Sequence, residues 1–157
     1  MPLKPSARRV QDLIARRGLV VVEMPDSTRT TEDAAAACGC TVAQIGKSLV
    51  FKAAESGRPV LVVASGVNRV DERKVTAALG ETIVRADPDF VRAATGFAIG
   101  GVAPVGHAVE PVIYLDADLM ALSRIWCAAG TPNAVFEATP ADLLDLTGGT
   151  TLDVRKG

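Results

Sequence analysis

Histidine occurs once in the 157 residues, at His107, so any Ser-His-Asp or Cys-His relay would have to be built on that one side chain. Cysteine is nearly as scarce. Cys38, Cys40 and Cys127 make an odd count, which argues against a disulfide framework. Cys38-Gly39-Cys40 has one intervening residue where a redox or zinc-knuckle pair has two, so the thiols read as small buried or half-buried side chains. A chain so poor in ligands is expected to work without a metal or other cofactor.

Aromatic residues make up only 4%, too few for a platform on which nucleic-acid bases would stack. Neither sign of charge prevails: Lys+Arg 17 against Asp+Glu 18 gives a net charge of -1. That excludes coating nucleic acid by bulk charge and disfavours DNA as a partner, yet leaves room for gripping a single RNA end. No apolar run approaches the roughly 20 residues of a membrane span. Residues 1–17 are basic without an apolar stretch, unlike a secretory signal. The expectation is one cytoplasmic domain covering residues 1–157.

What is present is a core of small and β-branched side chains, since 25 Ala and 20 Val supply much of the 48% hydrophobic content. Helix punctuation is clear. Ser6 can cap a helix carrying Val10, Leu13 and Ile14 and closing at Arg17-Gly18. Its Arg8, Arg9, Arg16 and Arg17 read either as a solvated surface or as an RNA-backbone contact. A strand over 20–22 is followed by an Ala-rich helix over 32–38. Thr41 to Gln44 has capping-box spacing, so one helical turn should precede a strand over 48–52. That strand pairs antiparallel with 60–64 across a turn. Asp71 caps a helix ending at Leu79-Gly80, a strand covers 82–84, and Asp87-Pro88 opens a helix that stops at Gly96. After a glycine-dense loop come a strand over 112–115 and a short helix near 117–121. A hairpin of 125–128 and 134–137, a helix over 141–146 and a last strand over 150–154 complete the chain. Strict alternation is absent, so α+β with a mixed sheet is expected rather than a doubly wound sheet.

Three stretches can carry chemistry. Gly96 to His107 holds four glycines and Pro104, a composition that frees backbone N–H groups to face a carboxyl or an oxyanion, or that merely makes a tight connection. No phosphate fingerprint is present. Gln44 to Lys52 puts Lys47 where a helical turn meets an apolar strand. An inward lysine there would be a fixed cation, and an outward one would simply snorkel. Ser65 to Asp71 joins a strand to a helix start, with Ser65, Gly66, Asn68 and Arg69 suited to a phosphate or ribose, or to an ordinary N-cap turn.

These three stretches together, in this order, closely resemble the YbaK/EbsC family, free-standing relatives of the editing domain inserted in bacterial prolyl-tRNA synthetases. The likeness extends to the Gly130-Thr131-Pro132 turn and the Thr139-Pro140 helix start. It implies a mixed, barrel-like six-stranded sheet flanked by short helices, and deacylation of mischarged aminoacyl-tRNA, with a small amino acid on tRNA(Pro) as substrate. The family lysine falls on Lys47, and the GxxxP loop on Gly100, Gly101, Val102, Ala103 and Pro104. His107 follows that loop and is assigned to the pocket rim, with Ser65, Gly66, Asn68, Arg69, Gly130 and Thr131 as further binding positions. The partners implied are the 3′ CCA end of aminoacyl-tRNA and a prolyl-tRNA synthetase, with no membrane and no DNA.

An aminoacyl ester is already activated, so positioning it beside a water and oxyanion donors can suffice. The expected scheme has amides of residues 100–103 on the carbonyl and Lys47 at the substrate's 3′ end. The ribose 2′-OH or a water handles the proton. A binding module for nucleotides or aminoacyl-adenylates is the alternative, with a DNA-binding protein further behind.

Overall fold

The computed structural model describes residues 3–157. Helix α1 covers Pro5–Ile14, α2 Thr31–Cys38, α3 Glu72–Leu79, α4 Pro88–Thr95, α5 Ala117–Met120 and α6 Pro140–Thr147. Strand β1 covers Val22–Glu23, β2 Ile45–Ala53, β3 Pro59–Ser65 and β4 Ile83–Arg85. β5 covers Val112–Asp116, β6 Ile125–Ala128, β7 Ala134–Ala138 and β8 Thr150–Leu152.

Local chemistry explains most of these boundaries. The side chains of Asp71, Asp87 and Thr139 each accept from a backbone N–H in the first turn of α3, α4 and α6. The Gln44 side chain reaches back to the Thr41 N–H at 2.9 Å, holding the turn ahead of β2. Ser6, expected as the first cap, lies inside α1 instead. Pro5 opens that helix with its φ already set and no N–H to satisfy, so Lys4 stands at the cap without a side-chain bond.

The eight strands of the described residues form one mixed sheet, β1-β7-β6-β2-β3-β5-β8, with β4 also on β2. This corrects the six strands that the resemblance implied and agrees with the eight read along the chain, of which β1, β4 and β8 are short pieces. β1 begins late, at Val22, because the Val21 N–H donates to the Gln11 side chain at 2.7 Å. β8 ends at Leu152 because the Val154 carbonyl turns to Asp71 N–H and Arg155 bridges Val70. β2 and β3 pair antiparallel over seven residues, whereas β2–β6, β3–β5 and β5–β8 are parallel.

β3 is buried along its whole length, so both sheet faces are covered. Leu61 and Val63 join Leu115, Phe97, Phe136 and α1 on one face. Val60, Val62 and Ala64 join Phe51, Val75 and Ile83 on the other. The arginines of α1 and of the helical turn Ala15–Arg17 that follows it are engaged within the chain. Arg16 and Arg17 pair with Asp145 and Asp142 of α6, and Arg9 lies over the Phe97 ring at 4.6 Å while donating to Thr95 O.

Candidate active site

β2 shares one of its two edges between two neighbours. At its start Ile45 and Gly46 pair with Trp126 and Cys127 of β6, and at its end Phe51 to Ala53 pair with β4. Among the described residues no strand pairs with 47 to 50 on that side. The direction of each peptide follows from the flanking bonds. Ile45 O accepts from Gly66 N–H at 2.8 Å and Ala53 N–H donates to Arg58 O at 2.9 Å, so odd-numbered residues aim at β3. Even-numbered ones aim at the shared edge, as Ala54 N–H does in donating to Thr82 O at 2.8 Å. Ser48 therefore turns its N–H and C=O into the gap.

A cleft of about 280 Å³ lies over this gap, with Lys47 and Ser48 on its wall. Lys47 was expected at the junction before the strand. It lies inside β2, opposite Ala64, because pairing with β3 begins at Gly46 and the parallel contact with β6 carries the strand back to Ile45. Burial lowers the pKa of its ammonium below the ordinary 10.5. Glu32 and Asp116 oppose that shift, and Arg69 adds to it. Lys47 is thus a partly desolvated cation held at a break in the sheet. The Ser48 hydroxyl beside it is buried with no hydrogen-bond partner among the described residues. Such an orphan costs about 1–3 kcal/mol. Ser48 as a whole is half-buried, so it is its peptide edge that the cleft meets.

The opposite wall comes from the glycine loop. Gly100 and Val102 line the cleft, and the stem of Arg29 lies across Gly100. Gly100 has φ +93°, and a Cβ there would meet Arg29 Cγ at 2.7 Å, so glycine is required on both counts. The loop amides do not all serve the carbonyl expected for them. Gly101 N–H donates to Ala98 O at 3.0 Å, and Gly101 packs against the backbone of Thr131. Ala103 is fully buried.

His107 and Pro104 face away from Lys47, onto a separate cavity of about 370 Å³ between α1, the loop and α6. His107 Nε2–H donates to Ala103 O at 2.6 Å, since a carbonyl can only accept, which leaves Nδ1 buried without a partner among the described residues. Its ring meets Phe97 edge-on at 5.8 Å between centroids. The residue fastens the loop from behind and is not on the rim of the cleft.

Ser65 and Asn68 are consumed by a buried carboxylate. Asp116 Oδ2 accepts from Ser65 N–H and from Asn68 Nδ2, each at 2.9 Å, while Ser65 Oγ donates to Ala43 O. Gly66 is there because a Cβ would fall 2.3 Å from Val42 O. Arg69 lines a third groove, of about 400 Å³, that shares Lys47 and also carries Arg85 and Lys156. Gly130, at φ +96°, backs onto Ser6 O, and Thr131 is buried against Gly101. These positions shape the frame and do not line the cleft.

Sequence reasoning missed Arg29, Ser48, Trp126 and Cys127, all of which border the cleft. Only the Lys47-Ser48 neighbourhood gave a local signal. Cys127 is no nucleophile: burial pushes its thiol up to about 12, so the thiolate is absent near neutral pH. Cys38, half-buried, is pushed up to about 11 by burial and the nearby Cys40. Among the described residues no helix is long and apolar enough to cross a membrane.

Residues 25–146 match the family described as the aminoacyl-tRNA editing domain. An uncharacterized protein of Bacillus subtilis (strain 168), YwhH, is 35% identical over 127 residues, which are 81% of this chain and 80% of that protein. EbsC of Enterococcus faecalis, described as a candidate Cys-tRNA(Pro)/Cys-tRNA(Cys) deacylase, is 30% identical over 121 residues, 76% of this chain and 73% of that protein. The crystal structure of a candidate trans-editing enzyme for prolyl-tRNA synthetase superposes with a TM-score of 0.92 at 50% identity, covering 99% of this chain and 100% of that one.

Proposed function

This chain belongs to the aminoacyl-tRNA editing domain family, and from that premise we infer that it is a deacylase of mischarged aminoacyl-tRNA. The finer reading is that its substrate is a small amino acid esterified to tRNA(Pro), entering by the 3′ CCA end. The observation that carries it is Lys47, a partly desolvated cation inside a cleft that Gly100 and Val102 also line. The cleft is bounded largely by short side chains and backbone, which suits alanine, serine or cysteine. One methylene more or less changes binding in such a pocket by only about 1–3 kcal/mol, so discrimination among these is modest.

The reaction is hydrolysis. A water oxygen attacks the ester carbonyl carbon, the bond to the ribose 3′ oxygen breaks, and the water's proton ends on that oxygen by way of the neighbouring 2′-OH or a second water. Lys47 supplies positive charge beside the developing oxyanion or the adjacent phosphate, where low local polarity makes it count for more than in water. Arg29 at the mouth, with Arg69, Arg85 and Lys156 along the groove beyond Lys47, gives the RNA backbone a cationic approach. A prolyl-tRNA synthetase is the proposed source of the mischarged substrate.

The test is to offer Ala-, Ser-, Cys-, Thr- and Pro-tRNA(Pro) to the purified chain and measure free amino acid. Release of one or more small amino acids well above the uncatalysed rate, with Pro-tRNA(Pro) spared, is expected. Tight binding of tRNA with no release from any of them would replace the enzyme by a binding module.

A further inference from the structure

An aminoacyl ester has two polar groups flanking its α-carbon, an amino group that donates and a carbonyl that accepts. That is the same pair any residue of a β-strand presents to its neighbour. In an antiparallel ladder two opposed residues exchange both bonds at once. At the gap in β2, Ser48 offers the complementary pair, and no strand of the described residues occupies the place.

We propose that the aminoacyl group docks on Ser48 as a single residue of an added strand. Its α-amino group donates to Ser48 C=O, and its ester carbonyl accepts from Ser48 N–H, which becomes the oxyanion donor. This rests on the deacylase reading above and deepens it. Strand addition to an open edge is an established mode of peptide recognition, and here one residue is enough because the gap is only four residues long.

Two further observations support this occupant. No aspartate or glutamate is among the described residues lining the cleft, so its wall offers a substrate ammonium neutral acceptors such as a peptide carbonyl. Gly101 N–H is already bonded to Ala98 O, which removes one competing donor from the loop opposite. Ser48 is thus a substrate-positioning residue next in sequence to Lys47.

The experiment compares two esters on the same tRNA(Pro): the fastest cleaved of alanyl, seryl and cysteinyl, and its counterpart without the α-amino group (propionyl, 3-hydroxypropionyl or 3-mercaptopropionyl). Rates are expressed as acceleration over the uncatalysed hydrolysis of each ester, which removes the activating effect of the ammonium itself. The acceleration should be at least tenfold smaller for the des-amino ester. A non-cleavable 3′-amide analogue of the aminoacyl end should slow hydrogen exchange of the Ser48 amide, and its des-amino counterpart should slow it less. Equal acceleration of both esters by the wild-type chain overturns the proposal, as does a Ser48 amide whose exchange the bound analogue leaves unchanged. A wild-type chain that accelerates neither ester would instead overturn the deacylase reading on which this rests.

Discussion

Gly101 stands against the backbone of Thr131 so closely that a Cβ on it would lie 2.9 Å from the Thr131 carbonyl carbon. The glycine loop and the β6–β7 turn are therefore pressed together backbone to backbone, with no room for a methyl group. Neither partner is the movable end of a flexible side chain. Gly101→Ala should destabilise the fold, by about 1–3 kcal/mol as overpacking typically does, and should shift the loop that carries Gly100 and Val102. Melting temperature measured beside kcat should show both falling. An unchanged melting temperature would mean the two backbones can part freely.

Lys47→Ala should leave the fold intact, since a half-buried lysine adds little packing, but should cut deacylation by about 10²–10³. Lys47→Arg should recover only part of the loss, because a planar fork does not replace a compact ammonium in a fixed place. Burial lowers the lysine's pKa, so its charge, and with it kcat/KM, should be lost on an alkaline limb that begins below pH 10.5. A pH profile that is flat up to pH 10.5 would remove the charge of Lys47 from the reaction.

The single histidine makes the acid side simple to read. Burial is the main cause lowering the pKa of His107, with Arg9 adding to it and the bond to Ala103 opposing. The unfolded chain therefore takes up the proton more readily than the folded one. Stability attributable to this residue is whole above about pH 6.5 and is lost as pH falls from there through the depressed folded value. The melting temperature should drop over that window, and His107→Gln should flatten the drop. Persistence of the full drop in that variant would assign it to carboxylates instead.

Arg29 lies across Gly100 at the cleft mouth and is exposed. Arg29→Ala should raise KM several-fold with little change in kcat. One phosphate contact fewer should also reduce the slope of log(kcat/KM) against log salt by about 0.7. Kinetics at three salt concentrations would decide it, and an unchanged slope would leave Arg29 as packing for the loop.

The helix starts at Asp71, Asp87-Pro88 and Thr139-Pro140 were legible because a cap is made within four residues. The resemblance likewise located Lys47, Gly100 and Val102 on the cleft. What could not be read was set by pairing across long stretches of chain. β2 begins ahead of Ser48 because Ser65 of β3 and Trp126 and Cys127 of β6 pair with its first residues, and the gap at Ser48 lies between the β6 and β4 contacts. Asn68 carried the composition of a phosphate loop, yet its amide is spent on Asp116, 48 residues away. His107 follows the loop in sequence but ends on its far side, because the chain reverses at Pro104 to Gly106 and returns the imidazole to Ala103 O. Nothing local distinguishes a glycine that faces a ligand from one that faces Thr131.

A strand whose edge is divided between two neighbours is secured at its ends and loose in its middle. Amide hydrogen exchange should record this directly. Gly46 and Lys52 are held between strands on both sides, whereas Ser48 N–H points into an unoccupied space although it belongs to the longest strand of the sheet. Its proton should exchange through small local openings, orders of magnitude faster than those of β3 beside it. The centre of this sheet therefore contains a position that solvent samples without any unfolding of the domain, and a ligand seated there would announce itself by slowing that one amide.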